Sequence, residues 1–256
     1  MDLTPVPLLQ IQRDLYGLPR GMERFRAYLR TMTDPETGDL ELPLVAMNPM
    51  GKDHVPARID ELLAIDAEGI ARSAVEAASA GLLAVPGRFR VGLVVSDDLM
   101  GGWTNRYCSE FTHRFETRAF DRRGWLTGVL WTADPVSVRT VREEVLGAIH
   151  RAAWIVRHGP AVTLEAMLAQ EGTATARAGC TAPSLDADEL AYTREVLAPH
   201  LDATDRPTVM ACLYGDEAAR ALGYRPQGVS ARAGFALALA DARAAQGVDA
   251  PVAGRC

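Results

Sequence analysis

A continuous apolar run, Arg88–Ser96, constrains the fold more than any other feature of the sequence. Its residues from Val91 to Val95 leave no polar face, so a strand here must be covered on both sides. Residues 125–131 repeat this pattern, and amphipathic helical segments occupy the chain around both runs. Strands that alternate with helices favour a mixed or mostly parallel sheet. The sequence therefore predicts an α/β fold with a sheet of about four to five strands flanked by helices.

The other elements are less sharply defined by periodicity. Residues 42–47 and 208–214 are short apolar runs that we interpret as further strands. Residues 105–120 fit helical and strand spacing equally, and as a strand they would form a hairpin with residues 125–131. Apolar periodicity and capping residues predict helices in two segments within residues 4–30, at 53–80 with a break at 66–69, and at 136–158, 163–171, 186–198, 217–222 and 230–245.

The length and composition favour one domain. The chain has 256 residues and is 48% hydrophobic, which is enough to bury a core without disulfides or metals. Since no linker-like stretch interrupts it, we predict a single α/β domain over residues 1–245. Residues 1–30 form its N-terminal helical segment, and residues 246–256 form a flexible tail.

Charge and cysteine usage exclude several classes of partner. A net charge of −6 and a pI near 5.4 give no basic face for nucleic acid and no polybasic cluster for a membrane surface. Neither a signal peptide nor a membrane-spanning run is visible in the sequence. The 4 cysteines are scattered without metal-ligand spacing, which is typical of free thiols in a reducing compartment. We therefore expect a cytoplasmic protein.

Several catalytic motifs are missing from the sequence. It contains no Gly-x-Ser-x-Gly, no His-Glu-x-x-His and no Gly-x-Gly-x-x-Gly. The Gly51-Lys52 pair is not part of a Walker A loop, because Ala46 stands at the first glycine position and Asp53 follows the lysine. Candidate residues must therefore be chosen by their place in the fold.

Parallel sheets bind ligands outside the carboxyl ends of their strands. Three polar segments follow predicted strands, at residues 48–54, 96–106 and 214–216. If the strands are parallel, these segments share one edge of the sheet.

The first segment contains Lys52, the single lysine among 27 basic residues. Lysine acts as a base or nucleophile in ways that arginine does not, and near a helix start it suits a phosphate or carboxylate. We predict Lys52 and His54 as catalytic residues, with His54 as a proton carrier. Asn48 and Gly51 are predicted to bind substrate.

The second segment contains two adjacent carboxylates. Asp97 and Asp98 are predicted to act as general base or to bind a divalent metal, with His113 as a third metal ligand. Four further residues are predicted to contact substrate: Gly101, Gly102, Trp103 and Arg106, the last as a clamp on a carboxylate.

These candidates predict an enzyme that acts on a small anionic metabolite at the carboxyl-end loops, with or without a divalent metal as cofactor. The alternative is a non-catalytic module that senses a ligand or binds a protein. In that case the exposed faces of the two N-terminal helices would dock a partner or form a homo-oligomer. An enzyme should gather polar groups at the strand ends, whereas an interaction module should expose a broad apolar patch.

Overall fold

The computed structural model describes residues 1–39, 41–99, 105–116 and 123–249, without the side chains of residues 45 and 246–249. The chain divides into two compact units, Met1–Ala153 and Trp154–Cys256. The prediction of a single domain over residues 1–245 stays a prediction. No helix in the described ranges is both long enough and apolar enough to cross a membrane.

The first unit contains a parallel sheet in the order β1-β2-β3. Its strands are β1 (Asp2–Pro5), β2 (Arg88–Ser96) and β3 (Trp125–Trp131). The register pairs Pro5 with Val91 and Ser96 with Trp131, so β2 and β3 end side by side. The α/β class is therefore confirmed, but the expected four to five strands are wrong, because the described residues form three.

Helices cover both faces of this sheet. The helices of the first unit are α1 (Leu8–Tyr16), α2 (Met22–Met32), α3 (His54–Ala64), α4 (Ala67–Gly81), α5 (Arg106–Phe115) and α6 (Val138–His158), the last containing the boundary between the units. A Cβ at Gly92 would lie 2.4 Å from Leu8 of α1, and one at Gly128 would lie 3.3 Å from the backbone of Glu144 in α6. Gly92 pairs with residue 127 and therefore faces away from Gly128. These glycines let α1 and α6 approach opposite faces of the sheet.

In the first unit two local predictions fail and one open alternative is decided, each for an identifiable reason. Residues 44–46 form a 3-10 turn after Pro43 rather than a strand. Residues 106–115 form helix α5, because the Asn105 side chain accepts from the Cys108 backbone N–H at 3.1 Å and caps the first turn. The hairpin is therefore wrong, and β2 and β3 are parallel neighbours.

Residues 2–5, at the start of the predicted helical segment, form edge strand β1, where Pro5 is tolerated at the end.

A side chain forms hydrogen bonds with the backbone of β2 along the part of its edge that β1 does not reach. β1 pairs only as far as Val91, and the fully buried Gln12 of α1 then takes the place of a strand. Its Nε2 donates to the Val95 carbonyl at 2.7 Å, and its Oε1 accepts from the Val95 N–H at 2.8 Å. Because buried backbone groups need partners, this amide fixes α1 against the carboxyl half of β2.

All the secondary-structure elements described in the second unit are helices. After the end of α6 it contains α7 (Leu164–Ala178), α8 (Ala187–Leu197), a 3-10 turn (Ala198–His200), α9 (Arg206–Tyr214), α10 (Asp216–Ala221) and α11 (Ala233–Asp249). The strand predicted at 208–214 is wrong. Val209 to Tyr214 are all buried, and periodicity does not distinguish a fully buried helix from a buried strand. Helix α11 enters the predicted tail as far as residue 249, and residues 250–256 lie outside the described ranges.

Candidate functional site

The carboxyl ends of β2 and β3 and the start of α3 meet in the first unit. β2 is followed by Asp97 and Asp98, β3 is followed by Thr132, and His54 is the first residue of α3. The parallel register brings the two strand ends to one edge of the sheet. The first two predicted segments therefore converge, and the site is built from residues far apart in sequence.

His54 and Asp97 form the central contact. The Nε2 of His54 lies 2.8 Å from Asp97 Oδ1, with side-chain exposures of 16% and 4%. Burial alone would raise the pKa of Asp97, but the hydrogen bonds from His54 and Thr132 hold it below its ordinary value. Since an ionised carboxylate only accepts, Nε2 carries the proton and donates it. The other ring nitrogen, Nδ1, is buried and has no hydrogen-bond partner among the described residues.

Thr132 joins the two aspartates. Its Oγ1 lies 3.0 Å from Asp97 Oδ1 and 3.1 Å from Asp98 Oδ1, and it accepts from the backbone N–H groups of Asp98 and Leu99. Asp98 also accepts from the Ala133 N–H at 2.9 Å. One buried hydroxyl thus fixes the loop after β2 against the end of β3.

Arg106 is held by three protein carboxylates. It donates to Asp98 and Glu110 at 2.9 and 2.8 Å and binds both oxygens of Asp134 at 2.8 Å, while its guanidinium lies 5.0 Å from the centre of the Trp131 ring. Burial would lower the pKa of Arg106, but the hydrogen bonds that it donates to Asp134 and Glu110 raise it overall. The guanidinium is therefore already bound by carboxylates of the protein itself. This arrangement does not favour the predicted role of Arg106 as a clamp on a substrate carboxylate.

The remaining residues of the first segment differ in role. The Tyr16 hydroxyl donates to the Asn48 carbonyl at 2.5 Å, and Asn48 Oδ1 accepts from the Met50 N–H at 2.9 Å. Burial and the nearby charge of Asp97 raise the pKa of Tyr16. A Cβ at Gly51 would lie 2.9 Å from Val55 and 3.0 Å from the Tyr16 hydroxyl, so this turn requires glycine. Asn48 and Gly51 therefore shape the loop, and their contact with substrate stays a prediction.

Lys52 is exposed, and its ammonium group has no hydrogen bond or ion pair among the described residues. It lies two residues before His54 and is thus available to a ligand at the start of α3. The predicted substrate contacts Gly101, Gly102 and Trp103 lie outside the described residues.

His113 does not join the two aspartates. Its Nε2 contacts the backbone carbonyl of Thr127. Thr127 lies four residues before the end of β3, about 13 Å along the strand at ~3.3 Å per residue. Among the described residues, no group of three or more His, Cys, Asp or Glu side chains is placed to hold a metal ion. The geometry therefore does not fit the predicted metal site, and we derive no chemistry from a metal.

The third predicted segment has a different setting. Residues 214–216 join the end of helix α9 to the start of α10 and do not follow a strand, so the strand-end rule that selected them does not apply. Asp216 Oδ1 accepts from the backbone N–H groups of Gln227 and Gly228 at 2.9 Å and fixes a loop of the second unit.

Three contributors to the site were missed in the sequence. Thr132 and Asp134 were interpreted as the start of a helix, although they also follow a strand and satisfy the same strand-end rule. Arg58 lies one turn after His54 on α3, and its Nη2 donates to the Thr132 carbonyl at 3.0 Å. The helical spacing of four residues from His54 was the available signal for Arg58.

Comparison of the chain with protein-family models, curated proteins and solved structures gives no match. Its function is therefore argued from the site.

The pH dependence of stability tests the Asp97 contact. Because the folded-state pKa of Asp97 is lowered, its ionised form stabilises the fold above the ordinary value near 3.8, and this contribution is lost as the pH falls through the folded-state pKa. We expect Asp97→Asn to lower the free energy of unfolding by about 1–3 kcal/mol at neutral pH. That deficit should shrink below about pH 4 in urea titrations. Asp53→Asn is the matched control, since Asp53 is exposed and makes no capping bond. A deficit that is the same at every pH would contradict this account of Asp97.

Proposed function

We propose that the chain is an enzyme that acts on a small anionic metabolite at the carboxyl-end edge of its sheet, with His54 as the proton carrier. The observation that carries the proposal is the His54–Asp97 contact. A buried carboxylate that binds Nε2 fixes the tautomer and leaves Nδ1 as the unprotonated ring nitrogen, so a substrate must uncover Nδ1, which is buried in this structure, before His54 is able to take its proton.

The charges around His54 support an anionic substrate. Lys52 and Arg58 lie on either side of His54 in sequence, Lys52 just before the positive end of the α3 dipole and Arg58 one turn into the helix. The acidic groups on the opposite side are engaged: Asp97 with His54, and Asp98 and Asp134 with Arg106. On the α3 side, Lys52 and Arg58 are therefore the cations that flank His54 in sequence, and the exposed carboxylate of Asp53 is the acidic group beside them.

The experiment is a turnover screen that assumes no particular reaction. The purified protein is incubated with a mixture of small carboxylates and phosphate esters, and the mass of every component is followed over time. We expect at least one component to be consumed by the wild-type protein, and consumption to fall in Lys52→Ala. Arg72→Ala, which removes an exposed cation on α4, is the matched control. If no component is consumed, the proposal of an enzyme acting on an anionic metabolite is wrong.

One surface feature supports the alternative, a protein-interaction module. On α2, Met22 is 56% exposed and Leu29 is 41% exposed, and their spacing of seven residues places them on one helical face. Two apolar side chains are a smaller surface than a typical protein interface requires. We therefore rank this function second, and it gains weight if the screen finds no substrate.

A further inference from the structure

Thr132 contacts both sides of the His54–Asp97 contact. Its buried hydroxyl lies 3.0 Å from Asp97 Oδ1, the same oxygen that binds His54. Its backbone carbonyl accepts from Arg58 at 3.0 Å, and Arg58 is one turn from His54 on α3. The residue that follows β3 therefore holds the loop that carries Asp97 and the helix that carries His54. A substitution of the side chain removes the first contact and leaves the second, so the two are separable by experiment.

The Thr132 hydroxyl has one proton and two carboxylates within reach. Its oxygen accepts from the backbone N–H groups of Asp98 and Leu99 at 3.1 and 3.2 Å, which uses both of its lone pairs. The proton is then its remaining hydrogen-bonding group, and Asp97 Oδ1 and Asp98 Oδ1 lie 3.0 and 3.1 Å away. Because a hydroxyl donates one proton, it serves mainly one of the two aspartates.

The other partners of the two carboxylates favour donation to Asp97. Asp98 is already bound by the Arg106 guanidinium at Oδ2 and by a backbone N–H group at Oδ1, each at 2.9 Å. Asp97 Oδ1 binds the His54 ring at 2.8 Å, and the hydrogen bond from Thr132 helps to hold the pKa of Asp97 below its ordinary value. A carboxylate that stays ionised only accepts, so it fixes the proton of the His54 ring on Nε2.

We propose that Thr132 is a positioning residue for His54: its hydroxyl directs Asp97 Oδ1 at Nε2 of the ring and so sets which ring nitrogen carries the proton. Thr132 acts through Asp97 and does not itself take a proton from a substrate. Its importance for turnover rests on the proposed function, whereas its effect on the ring of His54 does not.

The test measures the ¹⁵N chemical shifts of the His54 ring, which show which nitrogen carries the proton, in the full chain labelled at its 5 histidines. The spectra are recorded at about pH 8, above the ordinary histidine pKa near 6.5, and His54→Gln identifies the signals by their loss. In the wild-type protein we expect a protonated Nε2 and an unprotonated Nδ1. Thr132→Val keeps the shape of the side chain without its hydroxyl, and should bring the two shifts closer together, as in a mixture of tautomers. Thr132→Ser keeps the hydroxyl and should retain the wild-type shifts.

A control and a kinetic measurement separate positioning from packing. Thr33→Val removes a hydroxyl that donates to the Leu29 carbonyl at 2.7 Å at the end of α2, and should leave the His54 shifts unchanged. For a substrate found in the turnover screen, Thr132→Val should lower kcat at least about tenfold with KM within about twofold, because Thr132 touches no substrate. Thr132→Ser should restore kcat to within about threefold of wild type.

The outcomes separate this inference from the proposed function. Wild-type shifts in a folded Thr132→Val, or a mixture of tautomers in the wild-type protein or in Thr132→Ser, would overturn the positioning role. If Thr132→Val does not fold, Thr132→Cys, whose thiol is a weak donor, takes its place and decides in the same way. A mixture of tautomers in Thr132→Val together with no consumption in the turnover screen would support the positioning role and reject the enzyme. Turnover that Thr132→Val leaves unchanged would reject the importance of Thr132 for turnover alone.

Discussion

Arg106→Gln is expected to lower the free energy of unfolding by about 3–5 kcal/mol, the cost of breaking a buried ion pair from one side. Arg106 is the cation shared by Asp98, Glu110 and Asp134, and the side chains of the first two are only 8% and 6% exposed. Removing the guanidinium leaves these carboxylates close together in a poorly hydrated setting. Because whole domains are stable by only about 5–15 kcal/mol, this single change should be plainly visible in urea unfolding followed by circular dichroism.

Two further variants make this result specific to the cluster. Arg106→Lys should lie between wild type and Arg106→Gln, because an ammonium group does not reproduce the two-point contact with Asp134. Arg88→Gln is the control for a surface pair, since Arg88 and Asp2 are 89% and 70% exposed. Its cost should stay within about 1 kcal/mol. A cost for Arg106→Gln no larger than that of Arg88→Gln would show that the cluster does not hold this edge together.

The sequence predicted secondary structure most accurately where apolar runs alternate with polar turns. The strands at 88–96 and 125–131 were predicted with the bounds that the structure gives, because apolar runs between polar turns fix both ends. The four residues of β1 were not predicted as a strand, because residues 1–30 were interpreted as an N-terminal helical segment. The buried helix α9 was interpreted as a strand because burial on all sides removes the periodicity that separates the two.

For the site, too, the sequence indicated single residues but not the contacts between residues that are far apart in the chain. The strand-end rule selected His54 and Asp97 separately, but nothing in the sequence shows that residues 43 positions apart lie within hydrogen-bond distance. Arg106 was predicted to clamp a substrate because arginine suits carboxylates. The structure supplies protein carboxylates instead, one of them Asp134, 28 positions further along the chain. A residue type therefore indicates a kind of chemistry, and the fold determines whether the partner is a ligand or the protein itself.

His54→Gln is expected to reduce turnover of the metabolite found in the screen by about 10²–10⁴-fold, the usual contribution of a general acid or base. The glutamine amide N–H is able to replace Nε2 as donor to Asp97, so the fold and the loop after β2 should be retained. What is lost is the titratable nitrogen. Circular dichroism and the urea midpoint check the fold, while initial rates measured across a range of pH values check the chemistry.

Asp97→Asn and the double variant distinguish a proton carrier from a histidine that only packs. An asparagine side chain both donates and accepts hydrogen bonds, whereas the Asp97 carboxylate only accepts them. The asparagine therefore does not fix the tautomer of the His54 ring, and turnover should fall. Because residues that act as a unit are not additive, His54→Gln/Asp97→Asn should be no slower than the slower single variant. His158→Gln, at the end of α6 with its ring 4.8 Å from that of Trp154, is the control and should stay within about twofold of wild type, since it lies outside the residues that carry the proton transfer. Full turnover in His54→Gln would show that the contact between His54 and Asp97 holds α3 to the sheet and does not carry protons.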